Sequence, residues 1–514
     1  MRDDNLYPID LAHNYVKIFK EISSSHLAKI RDSNMLRNLQ AIVLAAGKST
    51  SFNTDKTKLV EKICGQEMIL YTTRLLESLS IETTVVVGYQ KELVQAVVTK
   101  QHDDRINFIV QQEQQGTAHA IVCAQDSFTQ ENILIMHGDM PLATADIIEK
   151  LYDKHIQSHA TVSFIIAHND DPSGHAYSRV IKQDNSIKVI KAREFDGDIN
   201  DHCFINAGIY IVTKQFLQDN IQKIEKNHES KEFYFTDIIK MASDQNKKIS
   251  TIQASFDHIR GIDTFQELWA AEQIKRAELI KHWMDRGVRF SMPQSVHIDL
   301  NVTIGAGSFI GGGVHIQRGT TIGKNCTIAE FCNIENSTLE DHVTIYSHCI
   351  IKDTHIGTCA KVGPFAHVIE HSTIGAYAII GNFVEVKRST IGQHSKAKHL
   401  TYLGDAQIGS QVNIGAGTIT CNHDGNKKHT TTIKDGAYIG SNNTLVAPVT
   451  IEENAFTAAG STITTLVPKD ALAIGRARQV NKLEYALKLR VSKKPVDKES
   501  SFVGAVKNKQ EKTT

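Results

Sequence analysis

The sequence predicts two fold classes in one chain. The first is an N-terminal α/β domain with a Rossmann-like mixed sheet, and the second is a C-terminal left-handed parallel β-helix of hexapeptide repeats. From Ile304 to about Thr465 an aliphatic residue recurs every six positions, often followed by glycine. A period of six fits neither an amphipathic helix nor an alternating strand, but it fits a triangular coil of three such units. Upstream of the repeat, strand and helix signals alternate, which is typical of an α/β domain.

Bulk composition narrows the class of protein. The chain has 514 residues, with 57 basic and 57 acidic side chains, so no net field attracts nucleic acid or an anionic membrane. Its eight cysteines lack metal-binding or paired spacing, which favours free thiols in a reducing compartment. The first residues do not resemble a secretory signal, and no apolar run approaches the ~20 residues of a membrane span. We therefore expect a cytoplasmic protein.

Five segments follow from the pattern along the chain. The predicted boundaries are 1–37 for an N-terminal helical extension, 38–263 for the α/β domain, 264–290 for a linker helix, 291–480 for the β-helix, and 481–514 for a C-terminal helix with a basic tail. The extension is interpreted either as a cover for an apolar face or as a partner-binding arm. The tail is interpreted either as a solvated end or as a segment that docks on the rest of the enzyme.

Within the α/β domain, short apolar runs mark the strands. Residues 41–44, 84–87 and 133–136 are each rich in aliphatic side chains, which predicts buried strands. Residues 68–79 carry a helical pattern between the first two of these strands. The linker helix shows apolar residues at helical spacing over about 264–286 and is long enough to act as a spacer.

A first candidate site lies where these strands end. Leu44, Ala45, Ala46 and Gly47 follow the first strand, and small residues at such a junction let backbone amides approach a phosphate. Further along the chain come Lys58, then Gln111 with Gly116 and Thr117, and then Asp139 at the end of a strand. Ligands of open α/β sheets bind at the carboxyl ends of strands. An aspartate there suits Mg²⁺, which prefers oxygen ligands.

A second candidate site interrupts the hexapeptide repeat. His399 and Tyr402 lie where the six-residue aliphatic repeat is interrupted. Residues 421–431 form a polar segment that we expect to loop out of the β-helix. Histidine titrates in the range that a general base needs at neutral pH. A pure assembly scaffold requires no such base beside a polar loop, so the cluster favours an enzyme.

These motifs, in this order, resemble the family of bifunctional N-acetylglucosamine-1-phosphate uridyltransferases and glucosamine-1-phosphate N-acetyltransferases. The resemblance covers about residues 38–480. It implies acetyl transfer from acetyl-CoA to glucosamine-1-phosphate, followed by uridylyl transfer from UTP to N-acetylglucosamine-1-phosphate with release of pyrophosphate. The product, UDP-N-acetylglucosamine, serves peptidoglycan and lipopolysaccharide synthesis. The resemblance also implies Mg²⁺ as cofactor and a homotrimer, in which the acetyl site forms between subunits.

The resemblance assigns a role to each motif residue. It implies Mg²⁺ ligation by Asp139 and Asp263 and general-base catalysis by His399. The implied UTP or UDP-sugar contacts are Leu44, Ala45, Ala46, Gly47, Lys58, Gln111, Gly116, Thr117 and Asn206. The implied acetyl-acceptor contacts are Lys387, Tyr402, Asn413, Asn422 and Lys428, and the implied acetyl-CoA contacts are Ala416, Ser441, Ala459 and Arg476.

Five positions depart from the family's pattern. They are Ser51 for an arginine, Ser178 for a glycine, Lys191 for a glutamate, Ile369 for an arginine and His423 for a tyrosine. A lysine elsewhere does not reproduce the planar fork of a lost arginine. These departures leave two alternatives open beside the bifunctional enzyme. Either a single activity is retained, in which case the acetyltransferase is favoured, or the nucleotidyltransferase accepts a different sugar-1-phosphate.

Overall fold

The computed structural model describes residues 36, 38–48, 52, 55–168, 177–183, 186–190, 204–228 and 230–491. The chain divides into two compact units at Tyr377–Ala378. The predicted N-terminal helix, the departures Ser51 and Lys191, and the basic tail beyond residue 491 lie outside the described residues.

A mixed sheet forms the centre of the first domain. Its strands are β1 Leu39–Ala45, β4 Glu82–Val87, β5 Asn107–Val110, β6 Asn132–His137, β7 Val162–His168, β8 Arg179–Gln183, β9 Ser186–Ile190, β10 Phe204–Thr213 and β11 Ile249–Ala254, and a separate hairpin pairs β2 Lys62–Ile63 with β3 Gln66–Glu67. The order is β11-β7-β10-β6-β1-β4-β5, with β8 and β9 attached to β10. Only β10 and the β8–β9 hairpin run antiparallel to their neighbours. The predicted Rossmann-like mixed sheet is therefore confirmed.

Helices cover both faces of this sheet. They are α1 Met68–Ser78, α2 Lys91–His102, α3 Thr117–Ala124, α4 Ala145–Ser158, α5 Lys214–Asn220, α6 Asp237–Asp244 and α7 Phe256–Ile259. Alternate residues of each central strand point to opposite faces, so Val43 packs in one core while Ile42 packs in the other. Strands that are buried on both faces read as continuous aliphatic runs. This explains why residues 41–44 and 133–136 were recognisable as strands.

Helix α8, Phe265–Met284, begins immediately after the α/β domain. Its N-terminus carries a capping box: the Thr264 hydroxyl accepts from the Glu267 amide, and the Glu267 carboxylate accepts from the Thr264 amide. This reciprocal pair satisfies two backbone donors that a helix start otherwise leaves unpaired. The helix therefore begins at Phe265, directly after its N-cap Thr264.

The β-helix follows from residue 289. The strands of its first part are β12 Arg289–Phe290, β13 His297–Ile298, β14 Thr303–Ile304, β15 Phe309–Ile310, β16 His315–Gln317, β17 Thr321–Ile322, β18 Thr327–Ile328, β19 Asn333–Glu335, β20 Thr338–Leu339, β21 Thr344–Ile345, β22 Ile350–Lys352, β23 His355–Ile356, β24 Lys361–Val362, β25 His367–Ile369 and β26 Thr373–Ile374. All of their pairings are parallel, and Ile304 stacks on Ile322, which stacks on Leu339. The aliphatic residue of each repeat points inward and is almost fully buried.

The second compact unit continues the same pattern. Its strands are β27 Ile379–Lys387, β28 Thr390–Ile391, β29 Lys396–Gly404, β30 Ala406–Ile408, β31 Asn413–Ile414, β32 Ile419–Cys421, β33 Thr431–Ile433, β34 Tyr438–Ile439, β35 Thr444–Val446, β36 Val449–Ile451, β37 Phe456–Thr457, β38 Thr462–Ile463 and β39 Leu472–Ala473, followed by helix α9 Tyr485–Val491. Two strands are much longer than the rest: β27 and β29 each span nine residues and pair in parallel. The second candidate site lies on these long strands.

None of the described helices combines the length and the apolar character that a membrane-crossing helix requires.

His155 provides a test of how the α/β domain responds to acid. The side chain is buried, with its ring nitrogens at 2.8 Å from Ser163 Oγ and 3.1 Å from Asn132 Oδ1. Burial lowers the pKa of His155 from 6.5 to about 4. The unfolded chain therefore takes up this proton first, and stability falls as the pH drops from about 6.5 towards 4. A shift of this size corresponds to about 3 kcal/mol of unfolding free energy.

We expect urea denaturation of the wild type, followed by circular dichroism, to lose stability over this pH range. The His155→Gln variant should be less stable at pH 7 but should show a smaller pH dependence. Equal pH dependence in both proteins would contradict the assignment of this titration to His155.

Candidate functional site

The first candidate site is built at the carboxyl edge of the central strands. Strand β1 ends at Ala45 and β6 ends at His137, and the two ends are tied together because the Gly138 amide donates to the Leu44 carbonyl at 3.0 Å. The loop after β1 is held by the Tyr89 amide, which donates to the Ala46 carbonyl at 3.0 Å. Gly47 is exposed, and a side chain at its Cα would meet no atom within 4 Å. Backbone amides of this loop are thus open to a ligand.

Lys58 joins the two predicted metal ligands. Its Nζ lies 2.6 Å from Asp139 Oδ2 and 2.5 Å from Asp263 Oδ1. Asp139 and Asp263 are 124 positions apart in the sequence, so only the folded domain brings them together. Both carboxylates therefore contact the same ammonium group.

Three backbone contacts hold Asp263 at this point. The neighbouring Ile262 amide donates to the Asp139 carbonyl at 3.1 Å, and the Gly261 amide donates to the Tyr177 hydroxyl at 2.8 Å. The Asp263 amide itself donates to Glu267 of the α8 capping box at 2.7 Å. The cap that starts the linker helix therefore also positions the carboxylate of the site.

Charge and burial act in opposite directions on this cluster. Burial alone would lower the pKa of Lys58, but the attraction of Asp139 and Asp263 outweighs it and holds that pKa above its ordinary value. Burial would likewise raise the pKa of Asp139, but Lys58, and to a lesser extent His137, hold it below its usual range. Lys58 and Asp139 therefore both carry their charges at neutral pH.

A second group of predicted contacts surrounds the end of β5. Gln111 is buried, and its Nε2 donates to the Gly116 carbonyl at 3.1 Å and lies 3.0 Å from His119 Nδ1. The Thr117 hydroxyl accepts from the Phe235 amide at 2.9 Å. Gly116 has φ +106°, and a side chain there would lie 2.5 Å from the Phe233 carbonyl oxygen. A glycine is required here, because the 233–235 segment crosses directly over it.

Asn206 lies on β10 at a break in its pairing with β7. Its Nδ2 donates to the Tyr210 hydroxyl at 2.5 Å, and its amide donates to the Ser178 carbonyl at 2.9 Å. Ser178 thus contributes to the site through its backbone. Gly208, two residues on, faces the His137 ring, since a side chain there would lie 3.2 Å from His137 Cδ2.

The donor set of the first site fits Mg²⁺. Among the residues that the structure describes, no group of three or more His, Cys, Asp or Glu side chains is arranged to hold a metal. Mg²⁺ does not require one, because it is commonly bound by one or two carboxylates together with waters and substrate phosphates. Two hard carboxylate ligands converge on the Lys58 ammonium, so the position accommodates positive charge.

The second candidate site is organised by the register of the coils. Ile414 pairs with Ile439, Ile439 with Thr457, and Thr457 with Ala473. The same register pairs Ala397 with Ile414 and Asn382 with His399. The second residue after each of these paired core residues therefore lies next to its equivalent in the following coil. Together these residues form one column along the β-helix. This column contains Asn382, His399, Ala416, Ser441 and Ala459, with Arg476 one residue past its end.

His399 is exposed on this column and is held from the coil before it. Its Nδ1 lies 2.8 Å from Asn382 Oδ1. An amide oxygen only accepts hydrogen bonds, so with this assignment of the amide Nδ1 carries the proton and Nε2 presents its lone pair. Asn382 was missed by the sequence reasoning. Its position 17 residues ahead of His399, one coil earlier, was the signal that identifies such a partner.

A charged cluster lies next to the histidine column. Arg388 grips both carboxylate oxygens of Asp405, with Nε–Oδ1 at 2.7 Å and Nη2–Oδ2 at 3.0 Å. Asn422 Nδ2 donates to Asp405 Oδ2 at 2.5 Å and to the Tyr402 hydroxyl at 3.4 Å. The Arg388 guanidinium holds the pKa of Asp405 below its usual range, with Asn422 and Lys428 adding to the effect. The predicted contacts Tyr402, Asn422 and Lys428 are thus brought together around Asp405.

The predicted loop over residues 421–431 is present as a small hairpin. His423 and Lys428 form an antiparallel bridge, and Asp424 Oδ1 accepts from the Asn426 and Lys427 amides at 2.8 and 2.7 Å. These amides, the Lys427 amide first, together with His429 hold the pKa of Asp424 well below its usual range. The hairpin is therefore stabilised by its own residues.

The remaining predicted contacts are placed around these features. Asn413 starts β31 and pairs with Lys396, three positions before His399. Lys387 ends β27, and its carbonyl accepts from the Asp405 amide at 3.0 Å. The departure Ile369 ends β25 in the first compact unit, and the departure His423 lies on the exposed hairpin.

Known proteins share both halves of this arrangement. The family profile of the MobA-like NTP transferase domain matches residues 41–199, and that of the GMPPB C-terminal domain matches residues 292–377. A "Bifunctional protein GlmU" from Thermosipho africanus is 40% identical over 456 residues, covering 88% of this chain and 97% of the relative. Proteins of the same name from Alkaliphilus metalliredigens and Streptococcus thermophilus are 38% and 37% identical, and cover 89% and 87% of this chain. Their own lengths are matched to 100% and 97%.

Gly116 provides a test of the architecture around β5. Gly116→Ala places a methyl group 2.5 Å from the Phe233 carbonyl oxygen at a left-handed φ, so the 233–235 segment must shift. We expect the amides of Phe233 and Phe235 to exchange with solvent at least about tenfold faster, because the strain amounts to more than ~1 kcal/mol. The measurement is hydrogen exchange followed by mass spectrometry.

The matched control is Gly47→Ala, which meets no atom within 4 Å and should leave exchange in the 233–235 segment unchanged. Unaltered exchange in the Gly116→Ala variant would show that the 233–235 segment does not pack closely over Gly116.

Proposed function

The chain belongs to the family of bifunctional GlmU proteins, and from that premise we propose how its two sites divide the synthesis of UDP-N-acetylglucosamine. The enzyme acetylates glucosamine-1-phosphate and then joins N-acetylglucosamine-1-phosphate to a uridylyl group, releasing pyrophosphate. The convergence of Asp139 and Asp263 on Lys58 supports uridylyl transfer in the α/β domain. The column below His399 supports acetyl transfer in the β-helix.

In uridylyl transfer, a phosphate oxygen of N-acetylglucosamine-1-phosphate attacks the α-phosphorus of UTP as the bond to pyrophosphate breaks. The protein contributes positioning and charge neutralisation, because phosphoryl transfer leaves it little covalent work. The open amides after β1 and the Lys58 ammonium are suited to the triphosphate. Asp139 and Asp263 would hold Mg²⁺, which supplies further positive charge to the phosphates when it is bound.

Gln111, Gly116 and Thr117 are suited to the uracil ring. The Gln111 amide nitrogen is already engaged with Gly116 and His119, and within the described part of the chain no partner is found for its Oε1. An amide oxygen can only accept hydrogen bonds. It is therefore suited to the N–H group that uracil carries between its two carbonyl groups. Asn206, fixed by Tyr210 and by the Ser178 carbonyl, is suited to the sugar side of the same pocket.

In acetyl transfer, the amine of glucosamine-1-phosphate must lose a proton to attack the thioester carbonyl of acetyl-CoA. The C–N bond forms as the C–S bond breaks, and CoA leaves as its thiol with that proton. His399 Nε2 takes that proton, and Asn382 acts as a positioning residue that fixes the ring and its tautomer. The cluster of Tyr402, Asn422 and Lys428, with Lys387 and Asn413, holds the sugar phosphate. Because Ile369 replaces the family's arginine, the lysines bind the phosphate, and they act as point charges.

Acetyl-CoA follows the column from His399 past Ala416, Ser441 and Ala459 towards Arg476. Adjacent parallel strands are ~4.8 Å apart, so the three coil steps from His399 to Ala459 span roughly 14 Å. Small side chains along this edge leave room for an extended chain, and Arg476 offers a cation at the far end. The thioester then lies at the histidine end of the column.

We further propose a homotrimer whose subunits complete the acetyl site. Phe383 and Leu400 directly follow Asn382 and His399 and are 56% and 64% exposed. Large apolar side chains grouped beside a catalytic base mark a protein interface. A second copy covering them would form the other wall of the acetyl-CoA groove.

We place the enzyme in the cytoplasm, where its sugar phosphates, UTP and acetyl-CoA are available. Free thiols support this placement, because all seven described cysteines are unpaired with one another.

Separate assays test the division of labour. Asp139→Asn should reduce pyrophosphate release from UTP and N-acetylglucosamine-1-phosphate by about 10²-fold or more, because it removes one of the two carboxylates proposed to hold Mg²⁺. His399→Gln should reduce CoA release from acetyl-CoA and glucosamine-1-phosphate by about 10²–10⁴-fold. Asn382→Ala keeps the base but frees its ring, so it should lower kcat for CoA release by about tenfold and shift its pH profile.

Asp139→Asn should leave CoA release unchanged, and His399→Gln and Asn382→Ala should leave pyrophosphate release unchanged, so the variants of one domain are controls for the other. If wild-type protein released CoA but no pyrophosphate, the assignment of uridylyl transfer to this substrate pair would be wrong.

The subunit proposal is tested by mass. Wild-type protein should elute as three chains in light scattering coupled to size exclusion. Leu400→Glu places a charge in the proposed interface and should yield smaller species that have lost CoA release but still release pyrophosphate. Leu93→Glu, at another exposed leucine that is 44% accessible, should remain trimeric. Trimeric Leu400→Glu protein would contradict the placement of the interface.

A further inference from the structure

A polar cavity lies away from both catalytic centres, between the α/β domain and the first coil of the β-helix. It measures about 300 Å³, at the lower end of the range for small-molecule sites. The turn at Cys64–Gly65 forms one wall, and the Leu300 amide donates to the Cys64 carbonyl at 2.9 Å. Helices α1 and α2 form the other walls, through Arg74 and Lys100 among others. Neither proposed activity uses this cavity.

Hydrogen-bond donors dominate its polar lining. The Arg74 guanidinium donates to the side-chain oxygens of Gln66 and Gln101, which are both neutral amides. Asn301 accepts from the Gly319 amide through Oδ1 at 3.1 Å, which leaves its NH₂ group as a donor. Only 7% of Gln66 is exposed, yet its Nε2 has no hydrogen-bond partner among the described residues. A buried amide donor without a partner costs free energy, and this atom is covered by protein rather than exposed in the cavity.

The cavity lining holds two cations, Arg74 and Lys100, and one carboxylate, Glu67. Glu67, the acidic side chain in the lining, is paired with Lys62 at 3.3 Å. Asp299 lies behind Gly65, and its Oδ2 accepts from the Arg318 amide at 2.9 Å. Arg74 bonds to amides, and Lys100 is exposed at the cavity mouth. A guanidinium fork with an ammonium and amide donors is the donor set that binds phosphate.

We propose that this cavity is a binding site for a small anion of the phosphate class, such as a phosphorylated metabolite, and that its occupancy regulates uridylyl transfer. Arg74 and Lys100 supply the charge, and the Asn301 NH₂ group supplies a directed hydrogen bond. Anion binding neutralises two cations at once.

The position of the cavity connects it to the uridylyl-transfer site, so the regulatory part of the inference rests on the proposed function. Gln66 immediately precedes α1, and Leu70 and Arg74 of α1 line the cavity. Ile69 of the same helical turn faces the other way and abuts Gly138, where a side chain would lie 2.6 Å from Ile69 Cδ1. Gly138 directly precedes Asp139. A shift of α1 caused by the anion therefore reaches the carboxylate of the catalytic site through one packed residue.

The test uses the full chain and inorganic phosphate as the probe. Calorimetric titrations are run with saturating UDP-N-acetylglucosamine and coenzyme A, so that both catalytic sites are filled. Wild-type protein should bind one phosphate per chain, and Arg74→Gln combined with Lys100→Gln should weaken this binding at least tenfold. The charge-matched control combines Lys154→Gln with Lys240→Gln, two exposed lysines elsewhere on the domain, and should bind as the wild type does.

The single variant Lys100→Gln separates loss of binding from a folding defect, because this side chain is exposed. It should weaken phosphate binding threefold or more without changing the melting temperature. Phosphate should also change kcat for pyrophosphate release by about fivefold or more in the wild type, as allosteric couplings of this kind do. It should leave CoA release unchanged. Titrations that coincide for the wild type and the cavity variant would overturn the site, whether or not the protein transfers uridylyl groups. Binding without any effect on pyrophosphate release would overturn the coupling.

Discussion

The stacking of one coil on the next is the constraint on which the β-helix and its site depend. An inward aliphatic residue rests on its counterpart in the next coil, as Ile322 does on Ile304, 18 positions before it, and on Leu339, 17 positions after it. A slip of one residue would turn every buried side chain outwards, so burial fixes the register firmly. The fixed register then aligns the residues two positions beyond the core. His399, Ala416 and Ser441 are neighbours for this reason, although each has a different chemical task.

The site in the α/β domain depends on a different constraint, the shared edge of parallel strands. Strands β1 and β6 end side by side, which brings the loop after Ala45 close to Asp139. Asp263 arrives from a segment beyond the sheet and is held by the start of α8. The same capping box therefore ends the α/β domain, starts the linker helix and completes the carboxylate pair. Glu267 therefore supports both the helix start and the backbone of Asp263.

Lys58 gives the first site its electrostatic balance. The carboxylates of Asp139 and Asp263 approach the same point, and the ammonium between them offsets the repulsion of like charges. A bound metal would take over this role and leave Lys58 to the substrate phosphates. The cavity beside α1 is separated from this site by Ile69, which packs against Gly138, the residue before Asp139.

The sequence by itself determined both fold classes and most candidate residues. The period of six predicted the β-helix, the aliphatic runs predicted the strands, and the motif order indicated the family. These features are local or periodic, so they can be read directly along the chain. The tertiary structure decided which distant residues meet: the approach of Asp139 to Asp263, the support of His399 by Asn382, and the gathering of Asn422 and Arg388 on Asp405. These contacts follow from strand order, from coil register and from where a helix cap lies, and no local pattern records the distance between side chains that the chain brings together only on folding.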